Sequence, residues 1–302
     1  MESVRLFAYP CDDWLAESLA EPLGVPLGRV SRRAFADGEE HLTLDVVSPG
    51  DHVILVSTQT YPSPRLLPLA FLATHALELG AERVGLVAPY LSFLRLDRQT
   101  RRGIGGTSTP AALLLSSAFD WIVTVSPQLE RAHALEAQVS VPLSIVDCTT
   151  EIVEWVRHHV SRPILVGPRN GPDAWSRVVA RSLRSPLLSV VNDRGESPLL
   201  ELSDRNAADG VDFTPVIIRS VLESAAPIAR LAEQLHFVGY RPPICVAVHP
   251  LIASHDVDDL LRAGVQEVVS CATAAHRTRQ IDLTAQFARA VKPFLAAPPA
   301  RR

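Results

Sequence analysis

Short apolar runs rich in β-branched residues alternate with longer amphipathic stretches along the whole chain, and this alternation limits the fold more than any other feature. It is the signature of βαβ units, in which a crossover helix returns the chain to a parallel strand. The pattern predicts strands over Val53–Ser57, Arg83–Ala88, Trp121–Val125, Pro163–Val166, Pro215–Ile218, Ile244–Val248 and Glu267–Cys271. Their nearly continuous apolar character predicts burial on both faces. Helices are predicted over Asp13–Leu19, Arg65–Leu79, Thr109–Ser117, Glu151–His159, Ala174–Arg184, Ala226–Phe237, Val257–Ala263 and Leu283–Phe294. Right-handed crossovers place them on both faces of the sheets. The expected class is α/β, Rossmann-like, with mainly parallel sheets.

A length of 302 residues suits two domains better than one. A weak internal echo supports two similar halves. Leu79-Gly80-Ala81 leads into an apolar run ending at Ala88-Pro89, and Val238-Gly239-Tyr240 leads into one ending at His249-Pro250. Each reads as a helix stopped by glycine, then a buried strand, then proline. The expected division is 1–145 and 146–302, with the C-terminal helix free to pack back on the first domain.

Composition removes several classes. With 47% hydrophobic and 21% charged residues, the chain can bury enough apolar surface to fold. The net charge of −4 argues against a nucleic-acid partner. Cys11, Cys148, Cys245 and Cys271 are far apart in sequence, which suits a reducing compartment better than a zinc site or a disulfide framework. Glu2, Asp12 and Asp13 make the N-terminus unlike a signal peptide, and no apolar stretch reaches membrane-spanning length. A cytoplasmic protein without a membrane partner is expected. Lys292 is the only lysine, and only 15 residues are glycine. Both facts weigh against a lysine-bearing, glycine-rich phosphate loop.

Two segments carry a family resemblance. Phe35-Ala36-Asp37-Gly38-Glu39 is followed by Ala88-Pro89-Tyr90-Leu91-Ser92-Phe93-Leu94-Arg95-Leu96-Asp97-Arg98. Together these resemble the F-x-D-G-E and P-Y-x-x-Y-x-R-Q-D-R motifs of the ribose-phosphate pyrophosphokinases, or PRPP synthetases. The resemblance implies two tandem phosphoribosyltransferase-type domains in an oligomer built from dimers. It also implies transfer of pyrophosphate from MgATP to ribose 5-phosphate. By the same resemblance Phe35, Asp37 and Glu39 would reach the adenine of ATP held by a neighbouring subunit, and Arg95, Asp97 and Arg98 would form a second ATP motif. Leu96 stands where the family has glutamine.

The segments that would perform the reaction depart from the family. Where an aspartate-x-histidine element should bind magnesium, the chain reads Ser126-Pro127-Gln128-Leu129-Glu130-Arg131. Arg169 replaces an aspartate after Gly167-Pro168, and Asp173 reads as a helix N-cap. Asn192–Glu196, matching the flexible catalytic loop, holds one arginine and no lysine. Arg219 and Ser220 replace the two ribose-binding aspartates, Ala225 replaces a glycine, Glu223 sits where a phosphate belongs, and Pro227 lacks an N–H. No catalytic residue and no metal ligand is assigned on this basis. His249, His255, Asp256, Asp258 and Asp259 form the densest set of potential ligands, but acids after Ser254 read as helix capping.

Three functions remain open at this point. One is a degenerate homologue serving as a structural or regulatory subunit, alone or with an active paralogue, and binding an adenine nucleotide. The second is an active diphosphokinase using ATP and Mg2+. The third is a small-molecule sensor on the same scaffold.

Overall fold

The computed structural model describes residues 3–60, 62–92, 108–126, 136–168, 175–191, 199–202 and 212–296. Two compact units are present. The first comprises residues 1–125, 130–146 and 284–302, and the second comprises 126–129 and 147–283.

The first unit is built on five parallel strands in the order β1-β4-β5-β6-β7, namely Val4–Ala8, His52–Val56, Arg83–Val87, Trp121–Val125 and Leu143–Val146. Every residue of β4, β5 and β6 is buried, as expected of strands covered on both faces. Helices α1 (Asp13–Leu23), α2 (Pro62–Glu78) and α3 (Ser108–Ala118) supply the crossovers. The last helix of the chain, which we number α8 (Thr284–Ala296), meets α1, β6 and β7. Trp121 stacks on its Phe294 with ring centroids 4.8 Å apart. A separate antiparallel hairpin, β2 (Val30–Ala34) and β3 (Glu40–Leu44), stands apart from the sheet.

The second unit has seven strands in the order β10-β9-β8-β11-β12-β13-β14. They are Leu199–Leu202, Leu187–Val191, Pro163–Pro168, Thr214–Leu222, Ile244–Pro250, Glu267–Cys271 and Arg279–Ile281, and only β10 runs antiparallel. Four helices belong to it: α4 (Thr149–His159), α5 (Ser176–Leu183), α6 (Ala226–Phe237) and α7 (Ser254–Arg262).

The sequence echo has one backbone explanation. After α2, Gly80 at φ 102° donates to Leu77 O, and Ala81 N–H reaches back to Ala76 O at 3.0 Å. After α6, Gly239 at φ 93° donates to His236 O, and Tyr240 N–H reaches Leu235 O at 3.0 Å. Both are Schellman closures that need a left-handed residue, and each delivers the chain into a central parallel strand.

Trp121–Val125, Glu267–Cys271 and Ala226–Phe237 have the boundaries the periodicity predicts. Other ends move. The predicted strand Pro215–Ile218 continues to Leu222, so Arg219 and Ser220 are strand residues and not part of a loop. The predicted helix Val257–Ala263 starts at Ser254 because Asp256 caps it, its carboxylate accepting from Ala253 N–H at 2.9 Å. β1, β2, β3, β7, β9, β10 and β14 were not anticipated. The hairpin strands carry exposed polar side chains, as in Ser31-Arg32-Arg33, and β14 is only three residues long, so hydrophobic period is a poor guide to them.

Candidate functional site

The hairpin turn holds the first motif. Phe35 N–H donates to Glu39 O at 2.8 Å, and Gly38 at φ 91° donates to Phe35 O at 3.1 Å, closing a turn that favours glycine at that position. Asp37 Oδ1 accepts from Glu39 N–H at 3.0 Å, the aspartate turn expected of Asp-x-Glu spacing. Phe35 is 43% exposed, with the Arg33 guanidinium 5.0 Å from its ring centroid. Asp37 and Glu39 are exposed, and the Glu39 carboxylate makes no hydrogen bond among the described residues. The turn thus offers an aromatic surface beside two carboxylates. Arg95, Asp97, Arg98 and Phe93, the core of the second motif, lie outside the described residues.

The hairpin connects to the carboxyl ends of the sheet strands, where open α/β sheets place their ligands. Glu40 pairs with Arg32 and accepts from Tyr9 Oη at 3.3 Å. Arg65 lies over the Tyr9 ring at 5.3 Å, and its Nη1 donates to Asp12 Oδ2 at 2.8 Å and to Thr58 O at 3.0 Å. Thr58 N–H donates to the same Asp12 oxygen at 3.0 Å. Asp12 is 3% exposed, and burial outweighs these partners, pushing its carboxyl up to about 6. Burial and the Glu40 charge also raise the Tyr9 hydroxyl. Gln59, next to Thr58, gives Nε2 to Ser57 Oγ at 3.0 Å while its buried Oε1 has no partner among the described residues. Sequence reasoning took Asp12 only as N-terminal charge and left Tyr9, Arg65 and Gln59 unassigned. The available signal was position, since Asp12 precedes a helix as an N-cap would. Its side chain makes no capping bond and turns to Arg65 instead.

The matching edge of the second unit is differently made. β11 runs unbroken through Arg219 and Ser220, both buried, to Leu222. Only Glu223, Ser224 and Ala225 separate it from α6. Leu222 and Ala225 are buried in the apolar cluster around Ile228, Leu231 and Ile252. Leu251 N–H donates to Leu222 O at 2.8 Å, so backbone from the β12 end ties this corner down. Pro227 lies in the first turn of α6, where it has no N–H to offer an anion. Glu223 is exposed at the same end. This corner is filled by apolar packing, with the Glu223 side chain exposed beside it.

The histidine and aspartate cluster is dispersed. His249 is buried within β12 opposite Val221, Asp258 pairs with Arg277, and Asp259 lies 2.6 Å from Arg262. Arg277 holds the Asp258 carboxyl below its usual range. Asp256 is the cap described above. Of the altered segments, Pro127–Arg131, Arg169, Asp173 and Asn192–Glu196 lie outside the described residues. No helix among the described residues is long and apolar enough to cross a membrane.

Comparison with known proteins follows the same outline. Residues 4–118 match the N-terminal domain of ribose phosphate pyrophosphokinase. Ribose-phosphate pyrophosphokinase 1 of Streptococcus mutans is 26% identical over 88% of this chain and 84% of its own length. The ribose-phosphate pyrophosphokinase of Saccharolobus solfataricus is 25% identical, covering 85% and 88%. The crystal structure of phosphoribosylpyrophosphate synthetase from Mycobacterium smegmatis superposes with a TM-score of 0.83 at 19% identity, over 97% of this chain and 99% of that one. The fold is therefore that of two tandem phosphoribosyltransferase-type domains. Over most of its length the chain is similar to ribose-phosphate pyrophosphokinases, and residues 4–118 carry the match to their N-terminal domain.

Proposed function

We propose that this chain is a catalytically degenerate member of the family, acting as a structural or regulatory subunit in PRPP metabolism. The observation that carries the reading is the β11–α6 corner. A sugar phosphate needs backbone N–H groups at a helix N-terminus and carboxylates for the ribose hydroxyls. Here Leu222 and Ala225 occupy the corner, Pro227 removes a donor, and Glu223 would repel the phosphate. Arg219 and Ser220 are buried strand residues and supply no carboxylate.

The hairpin supports a retained role in nucleotide recognition. Phe35 can stack on a purine, and the Asp37 and Glu39 carboxylates can accept from an exocyclic amine. Bound MgATP would supply the phosphate chain and its neutralising cation. This chain's own part is to present the aromatic face and the acceptors, in its own oligomer or to the active site of a competent paralogue. Phe35, Asp37 and Glu39 are the residues assigned to that half-site, and Arg95, Asp97 and Arg98 are assigned to a second ATP motif.

The test is AMP formation by the purified full chain from ATP and ribose 5-phosphate with magnesium. No turnover above background is expected. Turnover of order 1 per second, within the ordinary enzyme range, would overturn the proposal.

A further inference from the structure

We propose that the groove between α5 and β9 is a binding site for a linear oligophosphate anion. The groove, of about 310 Å³, is lined by Arg177, Arg181 and Arg184 over an apolar floor of Ala180, Pro186 and Leu187. The inference does not rest on the role proposed for the hairpin or the β11–α6 corner.

Two observations set these arginines apart from ordinary surface charge. Their spacing of four and three residues puts them on one stripe of the helix, extending about 10 Å along its axis. Arg181 and Arg184 have no carboxylate partner among the described residues, whereas Arg157, Arg162, Arg262 and Arg277 are all paired with acids. Arg177, half-buried, has an interaction of its own within the chain.

Helix electrostatics accounts for only part of the arrangement. A cation in the last turn offsets the negative end of the dipole, which explains Arg181 and Arg184. Arg177 lies in the first turn, where no acid is present and where the dipole disfavours a cation. Arg184 sits at φ 53° as the left-handed residue closing the helix, a position that favours glycine. Its N–H donates to Arg181 O at 3.1 Å and Ser185 N–H to Ala180 O at 2.9 Å, so the backbone beneath it is fixed. The scarcity of lysine explains why the cations are arginines, but not why three converge on one groove.

The chemistry of the occupant follows from this geometry. Guanidinium groups grip phosphate oxygens with paired N–H donors, and three in a row match successive phosphates of a chain. The ligand can be inorganic oligophosphate or the triphosphate of a nucleotide whose base would lie on Ala180, Pro186 and Leu187. A polynucleotide is disfavoured by the net charge of −4.

Calorimetry on the full chain with tripolyphosphate and, separately, ATP tests the site. Tripolyphosphate is expected to bind with micromolar affinity in 150 mM chloride. Arg181→Ala with Arg184→Ala should weaken binding at least tenfold without changing the thermal midpoint of the free protein. Arg181→Lys with Arg184→Lys should recover only part, because lysine keeps the charge and loses the fork. Arg289→Ala, which removes an exposed side chain of α8, should have no effect. ATP binding tighter than tripolyphosphate, and lost in the same double variant, places a base on the apolar floor; equal binding assigns the site to oligophosphate alone. The proposal fails if tripolyphosphate does not bind, if the double variant binds unchanged, or if Arg289→Ala weakens binding equally. It also fails if a ten-nucleotide single strand binds more tightly with the same arginine dependence.

Discussion

Arg65 Nη1 lies 2.8 Å from Asp12 Oδ2, and this pair, its carboxylate buried, joins the start of α1 to the first turn of α2 at the carboxyl edge of the first sheet. The arginine does not offset the cost of burying the carboxylate, whose pKa stands at about 6. A carboxyl that binds its proton more tightly folded than unfolded stabilises the fold fully below its unfolded pKa, near 3.8. That contribution is lost as pH rises through about 6. It amounts to roughly 3 kcal/mol, taking 1.36 kcal/mol per pKa unit. Denaturant unfolding at pH 4, 5, 6 and 7 should show Asp12→Asn flattening this decline, since the amide oxygen still accepts from Thr58. An unchanged slope would mean that Asp12 does not titrate in this window.

Gly85 fixes how closely β5 can approach its neighbour. A Cβ built there would stand 2.0 Å from Trp121 ring carbons, and the Trp121 ring in turn stacks on Phe294 of α8. Gly85→Ala should displace the indole and loosen the C-terminal helix, destabilising the protein by about 1–3 kcal/mol. Thermal unfolding should report the loss as a lower midpoint. Near-ultraviolet circular dichroism should report weakened tryptophan signal. A midpoint within experimental error of the parent would show that the ring has room to move.

The exposed hairpin turn should behave in the opposite way. Phe35→Ala and Asp37→Ala remove exposed groups and are expected to change stability by no more than about 0.5 kcal/mol. If the chain forms a mixed oligomer with an active homologue, both substitutions should raise the partner's KM for ATP without dissociating the assembly. Size-exclusion chromatography and kinetics on the co-expressed complex give the answer. Unchanged kinetics in a formed complex would remove the half-site assignment.

Ribose 5-phosphate should bind poorly or not at all. Glu223 is exposed at the β11–α6 corner, Leu222 and Ala225 fill it with apolar packing, and Pro227 takes one backbone donor from the helix start. Calorimetry giving micromolar affinity would contradict this, and the contradiction would be complete if Ser224→Ala abolished it.

The α/β class and the central strands were legible because strands buried on both faces are nearly continuous apolar runs, as around Ile54, Leu86 and Val123. The glycine stops at Gly80 and Gly239 were legible because a left-handed helix end favours glycine. The hairpin strands were not, since Arg32, Arg33 and His41 leave no apolar period. The Asp12–Arg65 pair was invisible for another reason: its partners are 53 residues apart and meet only once β1 and β4 are paired. The β11–α6 corner was half legible. Its substituted residues could be named from the sequence, but that the strand runs on to Leu222 depends on pairing with β12 as far as Pro250.

The central proposal is that this chain, similar to ribose-phosphate pyrophosphokinases, does not carry out their chemistry, and AMP release tests it most directly. Purified full chain is incubated with ATP, ribose 5-phosphate and magnesium, and AMP is quantified by chromatography against a protein-free control. The account predicts no AMP above the control. AMP formed at about 1 per second and dependent on ribose 5-phosphate would contradict it.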